Sequence, residues 1–435
     1  MEYCKPNSKN FRTRDKVEVT IREVRKLVFS MLKVRNFRNF FLSEIIYAFG
    51  VGMSTVGANW YLMDQTNSTT AVGFMLALNV IAGFMISPLI GILTDRINRK
   101  TIIIWTYLIQ ALAIFGIAAL FMLDEFKVGY LYLFSIVNGM GWTTYMSTSR
   151  SLLQELVTEG ELINGNSLIE ICLQVGMFTA GGASGIFYQY FGFEFILVFN
   201  AISFLISSLF IYRVQHKSII RESSSDTFYT SFKEGINFLM KKPNVLFLGI
   251  AAIVPLVATM MYNVVLPEYV SNTVNGNSID FGLADLFYGV GGFLSGLIAA
   301  PLAKKLSNRV TVILFFLLSI SVLFALAWNH YVAILFLGSL LFGLCNSSLR
   351  IIMNTTIMET VPKSFMGRAM SVWMAISLVL QAVFSPGLGI LIDRFSAGFG
   401  FIFVSGLMLI GFVIFQIVVR TRSVNVQEGL NQRCG

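Results

Sequence analysis

Charge is scarce in this sequence: 13% of its 435 residues are Asp, Glu, Lys or Arg, while 55% are hydrophobic. Soluble domains carry about 25% charged residues, so this composition cannot cover a water-facing globule. Cys4, Cys172, Cys345 and Cys434 stand singly, with no Cys-x-x-Cys pair, which excludes a disulfide framework and a zinc site. The two histidines, His216 and His330, are far apart, and no nucleophile, base or metal constellation emerges. The chain is expected not to be an enzyme and to hold no metal or cofactor. A Gly-x4-Gly-Lys-Ser/Thr phosphate loop is missing, which argues against ATP use within the chain. Gly289-x-Gly291 follows no strand and lies in an apolar run, so it is no dinucleotide loop. The first 37 residues lack the apolar run and cleavage site of a secretory signal, so the first membrane helix is expected to direct insertion.

Long apolar runs are abundant. A hydrocarbon core of roughly 30 Å takes about 20 helical residues per crossing. Runs of that length fall at 38–62, 70–94, 101–123, 128–149, 164–188 and 193–212, then at 245–270, 281–302, 310–328, 331–353, 367–391 and 399–419. The expected fold is an all-α membrane protein with twelve transmembrane helices in two pseudo-symmetric six-helix bundles. Its expected parts are a basic cytoplasmic arm (1–37), an N-terminal bundle (38–212), a cytoplasmic linker (213–244), a C-terminal bundle (245–420) and a cytoplasmic tail (421–435). With both termini inside, 30 of the 32 Lys and Arg fall on inner segments, leaving Lys127 and Arg394 outside. That is the positive-inside bias. The net charge of +9 is thus spread along inner helix ends, which excludes nucleic acid and makes anionic lipid the expected neighbour. In the arm, Val17, Ile21, Val24, Val28 and Met31 recur at helical spacing, reading either as an interfacial helix or as a partly disordered basic tail.

The two halves align with each other. At an offset of 209, Gly73, Gly83, Phe84 and Leu93 fall on Gly282, Gly292, Phe293 and Leu302; at 204, Glu155, Val157, Ser167, Gly185 and Phe191 fall on Glu359, Val361, Ser371, Gly389 and Phe395. Six spans per copy is an even number, so the repeat is parallel. Small residues recur four apart on equivalent spans: Gly83, Ser87 and Gly91; Gly181 and Gly185; Gly292, Gly296 and Ala300; Ser385 and Gly389. Such stripes allow close backbone approach, either along a seam between the halves or within each half.

Between the second and third spans runs Gly91-Ile-Leu-Thr-Asp95-Arg96-Ile-Asn-Arg99-Lys100. This resembles the G-x-L-x-D-R-x-x-R-K loop signature of the major facilitator superfamily. Leu153 to Val157, Asn166-Ser167, Phe199-Asn200-Ala201 and Phe232-Lys-Glu-Gly235 are similar to the macrolide-efflux-like branch of its bacterial drug exporters. The resemblance implies that Asp95 latches the inner gate against the eleventh span, with Arg99, Arg150 and Glu155 as pairing partners and Arg96 and Lys100 holding the loop inside. Lys304 and Lys305 stand at the repeat position of Asp95 and Arg96, so the latch is expected on one side. A helix 5 Gly-Pro pair of many proton antiporters is Gly181-Gly182 here.

Acids within spans are costly and tend to face cavities or partners. Glu170 and then Glu44 are the candidate proton-linked groups, each about two turns, roughly 10 Å, from the inner surface; the alternative for each is a satisfied structural carboxylate. Glu268 and Asp285 sit near outer span ends and read as gate or surface charges. The resemblance implies a cavity lined by spans 1, 4, 7 and 10, which offer Asn59 and Trp60, Asn138, Trp142 and Tyr145, Tyr262 and Asn263, and Asn346 and Arg350. Rings and amides suit amphipathic solutes. The expected function is a monomeric secondary transporter of the plasma or bacterial inner membrane that exports organic solutes or drugs, exchanging them for protons. Export of an endogenous lipid, siderophore or metabolite, or a non-transporting receptor or scaffold, are the alternatives.

Overall fold

The computed structural model describes residues 31–123, 126–158, 162–215 and 228–434. His216 and nearly all of the N-terminal arm's apolar stripe lie outside them. The described residues are almost wholly helical: α1 (Arg35–Thr66), α2 (Thr69–Arg96), α3 (Arg99–Leu123), α4 (Val128–Leu156), Leu162–Tyr212, α7 (Phe228–Met240), α8 (Pro243–Glu268), α9 (Ser278–Leu306), α10 (Asn308–Ala327), α11 (Val332–Thr360), α12 (Lys363–Arg394) and α13 (Ala397–Cys434). Leu162–Tyr212 breaks at Gly192, where φ is +82°, into α5 (162–191) and α6 (193–212). Glycine alone adopts that backbone freely.

Among the described residues, ten helical stretches are long and apolar enough to cross a membrane. One of them contains the Gly192 break, and α4 has the length but a more polar composition, with Asn138, Thr143, Thr144, Thr148 and Ser149 along it. Among the described residues the arms of spanning length are therefore twelve. Several run beyond the apolar segment read from the sequence, α4 to Leu156 and α11 to Thr360. Hydropathy marks the hydrocarbon slab, whereas backbone hydrogen bonding continues past it. The linker contains α7, which docks on the start of α12: Glu234 pairs with Arg368 at 2.8 Å and Phe238 stacks on Phe365 at 4.6 Å.

The helices contact one another mainly within two groups, α1–α6 and α8–α13, and the groups meet along α5–α9 and α2–α12. These seams are built alike. A methyl group on Gly282 would lie 2.6 Å from the Gly181 carbonyl oxygen, and one on Gly73 would strike Ser385. One turn farther out, Gly185 lies on the Ser278 backbone and Gly389 on that of Thr69. The offsets of 209 and 204 convert each first-seam pair into its counterpart in the second. Without Cβ atoms, the backbones approach closely enough to gain dispersion contact in the absence of a hydrophobic drive.

Farther along the same faces the seams part. Phe84, Ser87, Gly91, Gly296, Ala300 and Gly367 are exposed, and a Cβ on Gly91, Gly296 or Gly367 would meet nothing within 4 Å. Gly83 instead packs on Gly139 and Thr143 of α4, within the first group. The glycine stripe on α2 thus serves both alternatives read from the sequence. Gly185→Leu is expected to cost roughly 1–3 kcal/mol by overpacking, whereas Gly296→Leu leaves stability unchanged; thermal unfolding of the purified variants checks the contrast.

Candidate transport site

Glu44 of α1 lies wholly inside the first group. Its Oε2 accepts from the Tyr145 hydroxyl and from Ser149 Oγ at 3.0 Å, while Oε1 has no hydrogen-bond partner. Rings pack beside it: Tyr47 lies 4.2 Å from Tyr145 and 4.7 Å from Tyr107, and Trp142 lies 5.6 Å from Tyr145. Tyr145 and Trp142, expected to line the cavity with Asn138, are thus committed largely to this cluster. Glu170 is the opposite case. Its carboxylate is half exposed and pairs with Arg150 at 2.8 Å, with Gln174 at 3.5 Å. Arg150 also donates to Asn166 Oδ1 at 3.5 Å. Of the two acids, it is Glu44 that burial isolates, because helix α1 turns it toward α4 and away from the opening.

The signature loop is tied to its own group. Arg99 pairs with Glu155 at a nearly buried position. Lys100 Nζ donates to the carbonyl oxygens of Tyr212 at 2.8 Å and Val214 at 2.7 Å, closing the end of α6. A cation at a helix C-terminus complements its exposed carbonyls. Arg96 is exposed, and the side chain of Asp95 lies outside the described residues. Of Asp95's expected partners, then, Arg99 and Glu155 hold each other and Arg150 holds Glu170.

Amides and hydroxyls meet near the middle of the spans. In the second group, Asn346 Nδ2 donates to Thr259 Oγ1 at 2.7 Å and to the Tyr288 hydroxyl at 3.0 Å, and the Thr259 and Tyr288 hydroxyls are 3.0 Å apart. Tyr262 stacks on Tyr288 at 5.3 Å and bonds Ser339 at 2.7 Å. Asn263 is half-buried and Arg350 is exposed. In the first group, Asn138 Nδ2 donates to Thr55 Oγ1 at 3.1 Å. The amide oxygens of Asn59, Asn138 and Asn346 are buried without a partner. Trp60 stacks across the groups on Phe281 of α9 at 5.4 Å.

At the closed end, Asp393 of α12 reaches the start of α2. Its carboxylate accepts from Thr69 N at 2.7 Å, Thr70 N at 3.0 Å and Ser68 Oγ at 2.9 Å. An anion at a helix N-terminus satisfies orphan N–H groups and the helix dipole. The other seam carries the neutral version, in which Ser278 Oγ bonds the Gly185 carbonyl at 3.0 Å and Gln189 Oε1 at 3.2 Å. Gln189 is the repeat counterpart of Asp393 at the offset of 204. Sequence reasoning passed over Asp393, Gln189, Thr259 and Tyr288; extending the repeat alignment to residue 393 would have exposed the acid-for-amide exchange.

The profile of the Major Facilitator Superfamily matches residues 40–260 and 248–432. The chain belongs to that superfamily. It is a multi-pass membrane transporter with exporters among its relatives. It is 26% identical over 328 residues to BacE of Bacillus amyloliquefaciens, assigned as a bacilysin exporter, covering 74% of this chain and 80% of that protein. It is 21% identical to macrolide efflux protein A of Streptococcus pyogenes, covering 76% and 84%. The fold is similar to the crystal structure of the nucleoside transporter NupG, with a TM-score of 0.71 at 14% identity over 89% of this chain and 99% of that one.

The Arg99–Glu155 pair of this superfamily member is testable as a buried ion pair. Arg99→Ala is expected to destabilise by about 3–5 kcal/mol, because it strands a charge, and Arg99→Leu/Glu155→Leu by markedly less. Glu170→Gln, at an exposed pair, should change stability by about 1 kcal/mol or less. Thermal unfolding of the three variants in detergent decides it.

Proposed function

We propose that this protein exports amphipathic organic solutes or drugs from the cytoplasm by alternating access, in exchange for protons. The observation that carries the reading is the state of the two seams, shut at the end of Thr69, Ser278 and Asp393 and parted at the end of Gly91 and Gly296. A carrier needs such a one-sided opening, and two alike seams can exchange open and closed ends by rocking. The parted end is the basic end, with Arg96, Arg99, Lys100, Lys304 and Lys305. By the positive-inside rule it faces the cytoplasm, with both termini on that side of the cell membrane. Solute enters there and reaches the amides and rings of α1, α4, α8 and α11. One chain supplies both bundles, so a monomer suffices.

Glu44 is the proton-carrying group favoured by burial, since an ionised carboxylate is costly inside a span and only Tyr145 and Ser149 among the described residues reach its Oε2 with hydrogen bonds. Glu170, paired in the opening, stands as the second candidate. The exporter relatives support outward movement, and the one assigned to bacilysin favours a secreted metabolite as the second reading of the cargo.

In everted vesicles, solute uptake is expected to require an imposed pH gradient. Glu44→Gln should lower gradient-driven uptake roughly tenfold or more, in line with loss of one general acid–base group, while solute exchange without a gradient persists. If Glu44→Gln and Glu170→Gln both keep full coupling, neither acid carries the proton.

A further inference from the structure

One charge in the seam has no structural use. Asp285 lies on the face of α9 that meets α5, between Gly282, which touches the Gly181 carbonyl, and Gly289, which faces the Phe178 ring. Its carboxylate rests against the bare backbone of Gly181, where an added Cβ would come within 3.1 Å of its Cγ. The sequence alone placed Asp285 as an outer gate or surface charge. The structure puts it half-buried about two turns inward of the closed contact at Ser278, toward the Tyr262 and Tyr288 hydroxyls.

Asp285 makes no hydrogen bond and no ion pair among the described residues, whereas the Thr259 and Tyr288 hydroxyls and Asn346 Nδ2 bond one another. Arg350, one turn beyond Asn346, is exposed and likewise unpaired with it. Packing does not require the acid: the repeat counterpart at the offset of 209 is Leu76, only 6% exposed in the other seam. A lone carboxylate in a span, kept where its pseudo-symmetric mate is leucine, calls for a positive partner brought from outside. Rings stand on both sides, Phe178 inward and the Trp60–Phe281 stack outward. Rings around a carboxylate suit organic cations, which need apolar area and a counter-charge together.

We propose that Asp285 is the anionic anchor of the central site and that the site takes amphipathic organic cations. This rests on the exporter reading and names its substrate class. The cation would reach it from the parted end, past Phe178, and lie against the α5 backbone at Gly181, the point at which the seam must open for release on the far side.

The test uses tetraphenylphosphonium, a permanent cation that cannot exchange a proton, with the purified full-length protein. Saturable binding is expected to weaken roughly tenfold or more in Asp285→Asn, the loss of one charged contact, and to be largely retained in Asp285→Glu. Unchanged thermal unfolding shows that Asp285→Asn folds; if it does not, Asp285→Ser, which leaves Gly181 unhindered, replaces it. Wild-type binding that Asp285→Asn leaves intact overturns the proposal. So does a wild-type protein that carries uncharged solutes in everted vesicles yet binds no tetraphenylphosphonium, a result that leaves the exporter reading standing. Cation binding at Asp285 without flux of any solute overturns the exporter reading and leaves the anchor in place.

Discussion

Two helix backbones meet where side chains would otherwise hold them apart, at Gly185 with Ser278 and at Gly389 with Thr69, and the rest of the architecture is arranged around those two contacts. In lipid the apolar faces of helices gain nothing by leaving water, so association depends on close packing and on hydrogen bonds. Both are present. The glycines supply contact along the backbone, and Asp393 on the α2 start and Ser278 on Gly185 and Gln189 supply the polar part. Such contacts are short-ranged, so a seam shut at one end can be parted at the other.

Charges are distributed so that each bundle is tied to itself. Arg99 with Glu155, and Lys100 on the end of α6, tie one bundle together internally. The α7 helix is held to the second bundle through α12, by Glu234 and Arg368. The closed end is latched by an acid on one seam and an amide on the other. The two latches therefore respond unequally to anything that alters charge at that surface.

Much of the fold was legible beforehand. Span length, charge asymmetry and the offsets of 209 and 204 pointed to twelve helices in two alike sets, because a bilayer constrains every residue in the same way, whatever its neighbours. A seam of glycine-bearing helices was one of two alternatives the sequence left open; which helix meets which came only from the structure. The candidate site was legible in part. Asn346, Glu170, Tyr145 and Trp60 were singled out, but not their partners: Asn346 bonds Thr259 and Tyr288, Glu170 pairs with Arg150, which was expected on Asp95, Tyr145 bonds Glu44, and Trp60 packs on Phe281. Helical spacing shows which residues share a face, not which neighbour that face will meet.

The amino-acid sequence by itself determined what each segment can tolerate: lipid for the apolar runs, the inner surface for the basic ends, close backbone approach at Gly73, Gly181, Gly185, Gly282 and Gly389. Those properties are local, and solvent transfer and steric bulk decide them residue by residue. Only the tertiary structure decided which acids are buried, paired or alone. Glu44, Glu170 and Asp285 are each a carboxylate in an apolar run, yet one is enclosed by tyrosines, one is bound to an arginine in the opening, and one stands bare against Gly181. The difference arises from partners more than a hundred residues away in the chain for Glu44 and Asp285, and from one neighbouring helix for Glu170.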